Sequence, residues 1–230
     1  MLDYRCTVAG CLLAFTSTAL GDVFTYDSVN GLPDPAQWTL TTDAGAPSPA
    51  VVDGLLSFNT TPYTRFARQF YSATLTEGSL IDQDWSFEVE AKILSSPQGN
   101  GSGFWRSGFS FGITDESGQF ISLEIGDSSV SLRNANNGGV QTTGLNLSDN
   151  FHVFRLEVIG GQATGFLDGS NLGWLPVQFN NDATPLSAGF GDRTNIFNGS
   201  SLVRRAKLEV PEPAGLVSLG LAGLALVRRR

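Results

Sequence analysis

Residues 85–94 read Trp-Ser-Phe-Glu-Val-Glu-Ala-Lys-Ile-Leu, and this stretch decides the fold. Apolar side chains occupy every second position, and charged side chains fill the positions between them from Glu88 to Lys92. Because successive residues of a β-strand point to opposite faces, this period of two predicts a strand with one buried face and one solvated face.

The same alternation recurs between residues 22 and 209. Apolar residues alternate with small or polar ones over 109–113, 121–125 and 154–158, and 202–210 predicts a last strand. Turn signals separate the runs, namely Asp53-Gly54, Asp115-Glu116-Ser117-Gly118, Asn136-Asn137-Gly138-Gly139, Gly160-Gly161 and Asp168-Gly169. Many short strands with one apolar face each predict an all-β sandwich of two antiparallel sheets.

The composition fits one folded domain and excludes nucleic acid as a partner. The chain has 230 residues and a formal net charge of -8, and residues 22–213 contain 10 basic and 21 acidic side chains. A nucleic-acid-binding surface needs clustered Lys and Arg, which this balance does not provide. Cys6 and Cys11 fall in a segment that we expect to be removed, so we expect no disulfide in the mature domain.

Residues 1–21 have the pattern of a secretory signal peptide. Arg5 gives a positive amino-terminal region, residues 8–15 form a short apolar segment, and Ala19-Leu20-Gly21 places small residues at the two positions that signal peptidase reads. We therefore expect signal peptidase to cleave before Asp22 and the folded domain, residues 22–209, to be exported.

The carboxyl-terminal segment, residues 210–230, contains three elements in order. Pro211-Glu212-Pro213 precedes an unbroken apolar run over 214–227, and Arg228-Arg229-Arg230 ends the chain. The run would span about 21 Å as a helix, which is less than the roughly 30 Å hydrocarbon core of a bilayer. The arginines would remain on the cytoplasmic side as a membrane stop, so the sequence predicts a short transmembrane helix that holds the chain temporarily.

This order of elements resembles the PEP-CTERM sorting signal. The resemblance implies that an exosortase-type enzyme processes the chain near Pro211, Glu212 and Pro213 at the cell envelope. The protein would be anchored transiently in the membrane and would then lie at the cell surface or outside the cell. The signal is often associated with extracellular polysaccharide, and it says nothing about the activity of the domain that carries it.

The domain itself resembles the concanavalin A-like, or laminin-G-like, jelly roll. The resemblance lies in the order of its segments, which are an early hairpin at 51–58, the strand at 85–91, a hairpin at 151–169 and Gly189-Phe190-Gly191-Asp192 before a last strand. Arg204-Arg205 departs from the pattern, since relatives often carry an aromatic and an acidic residue there. The resemblance implies a two-sheet antiparallel jelly-roll sandwich.

Jelly rolls of this type include β-glucan hydrolases that present paired carboxylates on one strand face, in a Glu-x-Asp-x-x-Glu arrangement. The sequence contains no such run. Glu88 and Glu90 fit the solvated face of a strand, and Glu124 and Asp127 match the arrangement poorly. These observations argue against catalysis by a carboxylate pair.

His152 is the single histidine of the chain, and it alternates in register with Phe154. We interpret it as a partly buried strand residue rather than as the base of a Ser-His-Asp triad. The sequence thus predicts a non-catalytic surface or matrix protein whose domain binds polysaccharide. Two alternatives stay open, namely a divergent glycan hydrolase of the jelly-roll class and a structural or adhesive protein that contacts protein partners.

Two loops carry candidate ligand-binding residues. Trp105 and Arg106 follow a glycine-rich stretch, and Trp174 follows Gly173. Sugar faces stack on exposed aromatic rings, and an arginine donates to hydroxyl or carboxylate groups. The alternative is that both rings fill the edge of the sandwich.

Three aspartates are candidate ligands for a metal ion. Asp115, Asp127 and Asp168 lie near turns, where carboxylates and backbone carbonyls together offer the oxygen ligands that calcium prefers. A calcium site is one hypothesis, and ordinary turn chemistry is the other. The sequence predicts no other cofactor.

The sorting signal is tested on the carboxyl terminus of the exported protein. Replacing Arg228, Arg229 and Arg230 by Ser should weaken retention and release unprocessed protein, because each arginine at a bilayer centre costs about 2.5–3.5 kcal/mol on insertion scales. Replacing Pro211 and Pro213 by Ala should instead leave an intact tail in the membrane. Mass spectrometry measures both outcomes, and wild-type protein outside the cell that still ends at Arg230 would contradict the sorting tag.

Overall fold

The computed structural model describes residues 20–43, 45–61, 68–75, 84–96, 108–115, 117–135, 138–177, 186–193 and 198–211. In these ranges the chain forms strands and turns, with one short 3₁₀ helix at Ser28–Asn30. Neighbouring strands pair antiparallel throughout the described ranges. The predicted all-β class is confirmed.

The strands form two sheets that pack face to face. Sheet 1 consists, in spatial order, of β13 (Ser170–Pro176), β12 (Gln162–Leu167), β11 (His152–Ile159), β6 (Trp85–Ser95), β15 (Ser200–Pro211), β4 (Leu55–Asn59) and β3 (Ala50–Val52), and β1 (Leu20–Asp27) also pairs with β15. Sheet 2 consists of β10 (Gly139–Thr143), β9 (Ser129–Asn134), β8 (Phe120–Ile125), β7 (Ser110–Thr114), β14 (Leu186–Asp192), β5 (Gln69–Leu75) and β2 (Thr39–Thr42).

The apolar strand faces that the two-residue period predicts form the core between the two sheets. Phe87, Val89, Ala91 and Ile93 of β6 are fully buried there, as their alternation predicts. The alternating apolar residues of β7, β8 and β11 are buried in the same core. The predicted two-sheet antiparallel sandwich is therefore confirmed within the described residues.

An aromatic cluster joins the sheets near Phe190 of β14. The Phe190 ring lies 5.1 Å from the ring of Trp38 and 6.0 Å from those of Phe58 and Tyr71, measured between centroids. A stacked contact with Tyr26, at 5.9 Å, ties β1 to the same cluster. Such ring pairs contribute about 0.5–1.5 kcal/mol each beyond the area that they bury.

A β-bulge explains the two arginines that depart from the family pattern. The register of β15 against β6 shifts between Val203 and Arg205, so the bulge brings Arg204 and Arg205 to the same acidic partner. Both guanidinium groups pair with the carboxylate of Glu90, and Arg205 also lies 3.5 Å from Glu88. Glu88 and Glu90 are thus ion-paired residues on the outer face of sheet 1, as the interpretation of a solvated strand face requires.

The ends of the described chain lie side by side. β1 begins at Leu20 and β15 ends at Pro211, and these two residues are partners in the β1–β15 pairing. Each strand thus extends two residues past the predicted domain boundary. No helix in the described ranges is long and apolar enough to cross a membrane, and the predicted apolar helix at 214–227 lies outside those ranges, as does most of the predicted signal peptide.

The aromatic cluster generates a prediction about stability. Phe190→Ala should lower the free energy of unfolding by about 3–5 kcal/mol, because it removes a fully buried ring that four other rings contact. The matched control is Phe166→Ala, whose ring is partly exposed on sheet 1 and which should cost clearly less. Urea denaturation measures both, and equal losses would mean that the cluster does not hold the sheets together.

Candidate functional site

Sheet 2 is buried on both of its faces along β7, β8 and β9. One face contributes apolar residues to the core. The opposite face, called the polar face below, consists of Phe70, Ser110, Phe120, Ser122, Glu124, Ser131 and Arg133. Ser110, Ser122 and Ser131 are at most 1% exposed, and Glu124 is 6% exposed. A sheet face that is buried and polar is unusual, because buried polar groups must be satisfied by partners.

Glu124 lies at the centre of a row that crosses three strands. The strand register pairs Ser110 with Glu124, and Glu124 with Ser131. The Ser122 hydroxyl donates to Oε1 of Glu124 at 3.1 Å. The arrangement surrounds one carboxyl group with three hydroxyl groups on neighbouring positions of a rigid sheet.

Two of these hydroxyl groups are candidates for binding a ligand. The Oγ atoms of Ser110 and Ser131 are buried, and neither has a hydrogen-bond partner within the described part of the chain. Leaving a buried hydroxyl without a partner costs about 1–3 kcal/mol. Such groups in a native fold call for a missing water or ligand, so both point to a binding site beside Glu124.

Two aromatic rings and two guanidinium groups alternate on the same face, and we call this series the Arg–Phe ladder. The guanidinium carbon of Arg193, which directly follows β14, lies 5.8 Å from the ring centroid of Phe70 and 5.7 Å from that of Phe120. The guanidinium carbon of Arg133 lies 5.6 Å from the same Phe120 ring. These distances are typical of cation–π contacts. The ladder therefore runs from β5 to β9 and passes over the strand that carries Glu124.

A glycine makes room for the first ring of the ladder. A Cβ atom added to Gly189 of β14 would lie 2.3 Å from Cε1 of Phe70 and 2.5 Å from the carbonyl oxygen of Tyr71. The Phe70 ring thus lies directly over the β14 backbone. A side chain at position 189 would displace the ring and with it the partner of Arg193.

The predicted ligand-binding residues do not gather at the polar face. Trp105 and Arg106 lie outside the described residues. Trp174 is 57% exposed on β13, where it pairs with Thr164 on the face of sheet 1 that points away from the core. Since the polar face belongs to sheet 2, Trp174 cannot take part in that site, and its role in sugar binding stays a prediction.

The three aspartates of the calcium hypothesis lie at three separate turns. Asp115 and Asp127 flank opposite ends of β8, and Asp168 lies in the β12–β13 turn of the other sheet. Asp115 accepts hydrogen bonds from Ser117 Oγ and Gln119 N, both at 2.8 Å. In the described ranges, no group of three or more His, Cys, Asp or Glu side chains could hold a metal ion. The three residues therefore do not form one calcium site.

Asp168 instead belongs to a cluster around His152. Nδ1 of His152 lies 2.8 Å from Asp168, and Nε2 lies 3.1 Å from Asp149. Burial lowers the pKa of His152, but the hydrogen bonds and charges of Asp168 and Asp149 outweigh it and raise that pKa above the ordinary 6.5. Burial raises the pKa of Asp168, but hydrogen bonds from His152 and Val153 N bring it below its ordinary value. His152 is thus a partly buried strand histidine, as predicted, and it links two turns.

No protein-family model matches the chain, and no curated protein matches it. Solved structures match its fold. The catalytic domain of an endo-1,3-β-glucanase (laminarinase) from Thermotoga petrophila RKU-1 gives a TM-score of 0.53 at 14% identity, over 84% of this chain and 99% of that one. A Crh5 transglycosylase in complex with NAG gives 0.55 at 13% identity, over 81% and 83%. The alginate lyase AlgAT5, from polysaccharide lyase family 7, gives 0.50 at 10% identity, over 76% and 94%.

These similarities identify the sandwich as a jelly roll of the kind found in β-glucanases. They also contradict the prediction that the domain is non-catalytic, because glucanases and a transglycosylase share its fold over most of the chain. That prediction was wrong because it required a full Glu-x-Asp-x-x-Glu run. Glu124 was set aside in the sequence analysis because, together with Asp127, it matches that run poorly.

The cluster around His152 predicts how stability depends on pH. Both ring nitrogens face carboxylates, and only the protonated imidazole can donate from both. Because folding raises the pKa of His152, this contribution to stability is complete below pH 6.5 and is lost as pH rises through the raised pKa. Urea denaturation between about pH 5 and pH 9 should therefore show a fall in wild type that His152→Gln lacks, and parallel curves would exclude the linkage.

Proposed function

We propose that the chain is an exported glycan-active enzyme of the jelly-roll class, a hydrolase or a transglycosylase, and that the polar face is its active site. The observation that carries this proposal is Glu124, a buried carboxyl group flanked in its row by the hydroxyl groups of Ser110 and Ser131. Glycan cleavage needs a carboxylic acid that protonates the leaving oxygen. Glu124 is the residue that we assign to this step.

The neighbours of Glu124 hold it and bind the sugar. Ser122 donates to one carboxylate oxygen, and the sheet fixes the position of the whole row, so the carboxyl group is oriented before substrate arrives. The hydroxyl groups of Ser110 and Ser131 can each donate to, and accept from, a sugar hydroxyl. Sugar binding would also remove the cost of leaving these two groups buried without a partner.

A hydrolase needs a second carboxyl group. The two groups stand about 5–5.5 Å apart in retaining enzymes and about 6.5–9.5 Å apart in inverting ones. Ser122 and Phe120 occupy the other same-face positions of β8, so this strand supplies one carboxyl group. Within the described polar face Glu124 is the only carboxylate.

Export and sorting are part of the same proposal. The pattern of residues 1–21 and the order of elements in 210–230 support cleavage by signal peptidase and processing by an exosortase-type enzyme. The enzyme would then act on polysaccharide at the cell surface or outside the cell.

The test is the conservative variant Glu124→Gln in the full chain. We expect wild-type protein to convert at least one member of a panel containing 1,3-β-glucan, mixed-linkage β-glucan and alginate. A hydrolase would release reducing ends, whereas a transglycosylase would redistribute chain lengths without a net gain of reducing ends. Glu124→Gln should lower the rate of conversion by about 100-fold or more, because an amide cannot donate the proton. Product analysis by chromatography separates hydrolysis from transfer to a second sugar.

The matched control is Glu157→Gln, which changes a carboxylate on the outer face of sheet 1. It should leave the rate within about twofold of wild type, since that face is remote from the polar face. Melting temperatures check that both variants fold. If Glu124→Gln keeps the wild-type rate, or if wild type binds the glycans without converting any of them, the proposal is wrong.

A further inference from the structure

We infer that the outer face of sheet 1 carries a second glycan-binding site, on the opposite side of the sandwich from the polar face, and that a neutral sugar stacks there on the ring of Trp174. This second site is independent of Glu124 and of the proposed reaction. Among the large apolar side chains that the described residues expose, Trp174 is the only aromatic one, and it is 57% exposed. A single exposed apolar side chain is ordinary on a protein surface, but the way in which the chain places and surrounds this ring is not.

A β-bulge turns the Trp174 ring outward. β12 and β13 pair regularly through Phe166 and Asn171. The register then shifts by one residue, and Trp174 lies opposite Thr164. Without the shift, Trp174 would lie opposite Ala163, which is fully buried in the core. Because a slip of one residue moves a side chain to the other face of a sheet, the bulge takes the indole ring out of the core and places it in solvent.

Two features of β13 fix the bulge. The side-chain oxygen of Asn171 accepts a hydrogen bond from the backbone N–H of Gly173 at 2.7 Å. Gly173 has a φ of 128°, and a Cβ atom added to it would lie 2.6 Å from Cγ1 of Val140 on β10. The edge of sheet 1 therefore packs closely against the edge of sheet 2 directly beside Trp174. The indole ring is carried by a rigid piece of backbone, as a preformed binding site requires.

Arginine side chains cover two other aromatic rings on this side of the sandwich. The guanidinium carbon of Arg155 lies 4.5 Å from the Phe166 centroid, and that of Arg204 lies 4.1 Å from the Phe151 centroid. Trp174 has no such cover in the part of the chain that the structure describes, where no cation or ring contact involves it. Its ring is therefore open to a ligand.

Polar side chains lie next to the open ring. The row of paired residues that contains Trp174 continues through Thr164, Glu157 and Ser86 on the next three strands, and Gln162 is exposed beside this row on β12. Hydroxyl, amide and carboxylate groups exchange hydrogen bonds with the hydroxyl groups of a sugar, whereas the C–H face of the sugar stacks on an aromatic ring. The combination of one ring with these polar groups fits a glycan.

A protein partner fits this face less well. Protein interfaces have a contiguous apolar centre. Here Trp174 and Pro176 are exposed on the edge strand, but Thr164 and Gln162 separate them from the exposed Ile159 on β11. One ring among polar groups matches the size and chemistry of a sugar rather than those of a protein surface.

The charge of the row favours a neutral sugar over an anionic one. Glu157 lies two strands from Trp174, and its ion pair with Arg155 is long, at 3.9 Å. The guanidinium group of Arg155 is also stacked on Phe166. The Glu157 carboxylate can accept hydrogen bonds from the hydroxyl groups of a neutral sugar, whereas it repels a carboxylate or sulfate group. The ligand that we expect at this face is therefore a neutral glycan.

The experiment compares Trp174→Ala with the matched control Ile159→Ala, both in the full chain. Ile159 is 56% exposed on the same face, so the control removes an apolar side chain of equal exposure that cannot stack on a sugar. The parent protein and all variants carry Glu124→Gln, so that the proposed enzyme does not convert the probes. Affinities for 1,3-β-glucan, mixed-linkage β-glucan and the anionic alginate are measured by calorimetry at about 50 mM and 200 mM salt.

We expect the parent to bind one of the two neutral glucans more tightly than alginate, with an affinity that changes by less than about twofold between the two salt concentrations. Trp174→Ala should weaken that binding by about 10- to 100-fold, because it removes the stacking surface, and Ile159→Ala should leave it unchanged. Trp174→Phe keeps an aromatic ring and should retain most of the affinity. Trp174→Leu keeps only apolar volume and should lose as much affinity as Trp174→Ala.

Four results would overturn the inference: the parent binds neither neutral glucan, it prefers alginate, Trp174→Ala or Trp174→Leu keeps the parent affinity, or Ile159→Ala loses affinity equally. Sedimentation velocity tests a different occupant, because a parent dimer that Trp174→Ala converts to a monomer would assign this face to a second copy of the chain. Melting temperatures within about 2–4 °C of the parent show that a variant is folded. Loss of glucan binding in Trp174→Ala supports the second site whether or not the wild-type protein converts any glycan, so failure of the proposed enzyme is a separate result.

Discussion

The structure depends on the two-residue period of three adjacent strands, β7, β8 and β9, that are buried on both faces. A sheet buried on both sides for packing alone reads as a nearly continuous apolar run. Here the side chains of β7, β8 and β9 that face the core are apolar, whereas those on the opposite face include serines, one glutamate and one arginine. A buried polar group reduces stability unless it is paired, so the Oγ atoms of Ser110 and Ser131, which have no hydrogen-bond partner within the described residues, are a cost to folding. Costs of this kind are characteristic of functional sites, where stability is lost in exchange for a prearranged ligand surface.

The fold could be predicted from the sequence because a strict alternation of apolar and polar residues indicates a β-strand with one buried face. In β6 each apolar residue of the pattern is in the core, and turns fall at the predicted Asp53-Gly54, Gly160-Gly161 and Asp168-Gly169. The same alternation could not reveal the site. Ser122 and Glu124 fit a solvated face as well as a buried polar one, and the difference depends on what covers the sheet. Arg193 contacts Phe70 and Phe120, which are distant in sequence, and no local pattern contains that information.

The arginine pair in β15 shows a second feature that could not be predicted from the sequence, namely a β-bulge. In a regular strand Arg204 and Arg205 would point to opposite faces, and one of them would enter the core. The bulge after Val203 lets both reach Glu90 instead, so the acidic face of β6 is neutralised rather than left as a cluster of carboxylates. Glu88 and Glu90 are engaged in ion pairs on sheet 1, whereas the carboxyl group of Glu124 lies among hydroxyl groups on sheet 2.

The jelly-roll fold alone does not determine which reaction a protein catalyses, since the similar structures include a glucanase, a transglycosylase and a lyase. The reaction of such a fold depends on the side chains of its site, and in this chain the candidate residues lie on the polar face of sheet 2. The residues of β8 that share a face with Glu124 are Ser122 and Phe120, so the strand offers one carboxyl group rather than a carboxylate pair. Phe120 belongs to the ladder that holds Arg133 and Arg193. On β8, Ser122 and Phe120 therefore occupy the positions that a second carboxylate beside Glu124 would need.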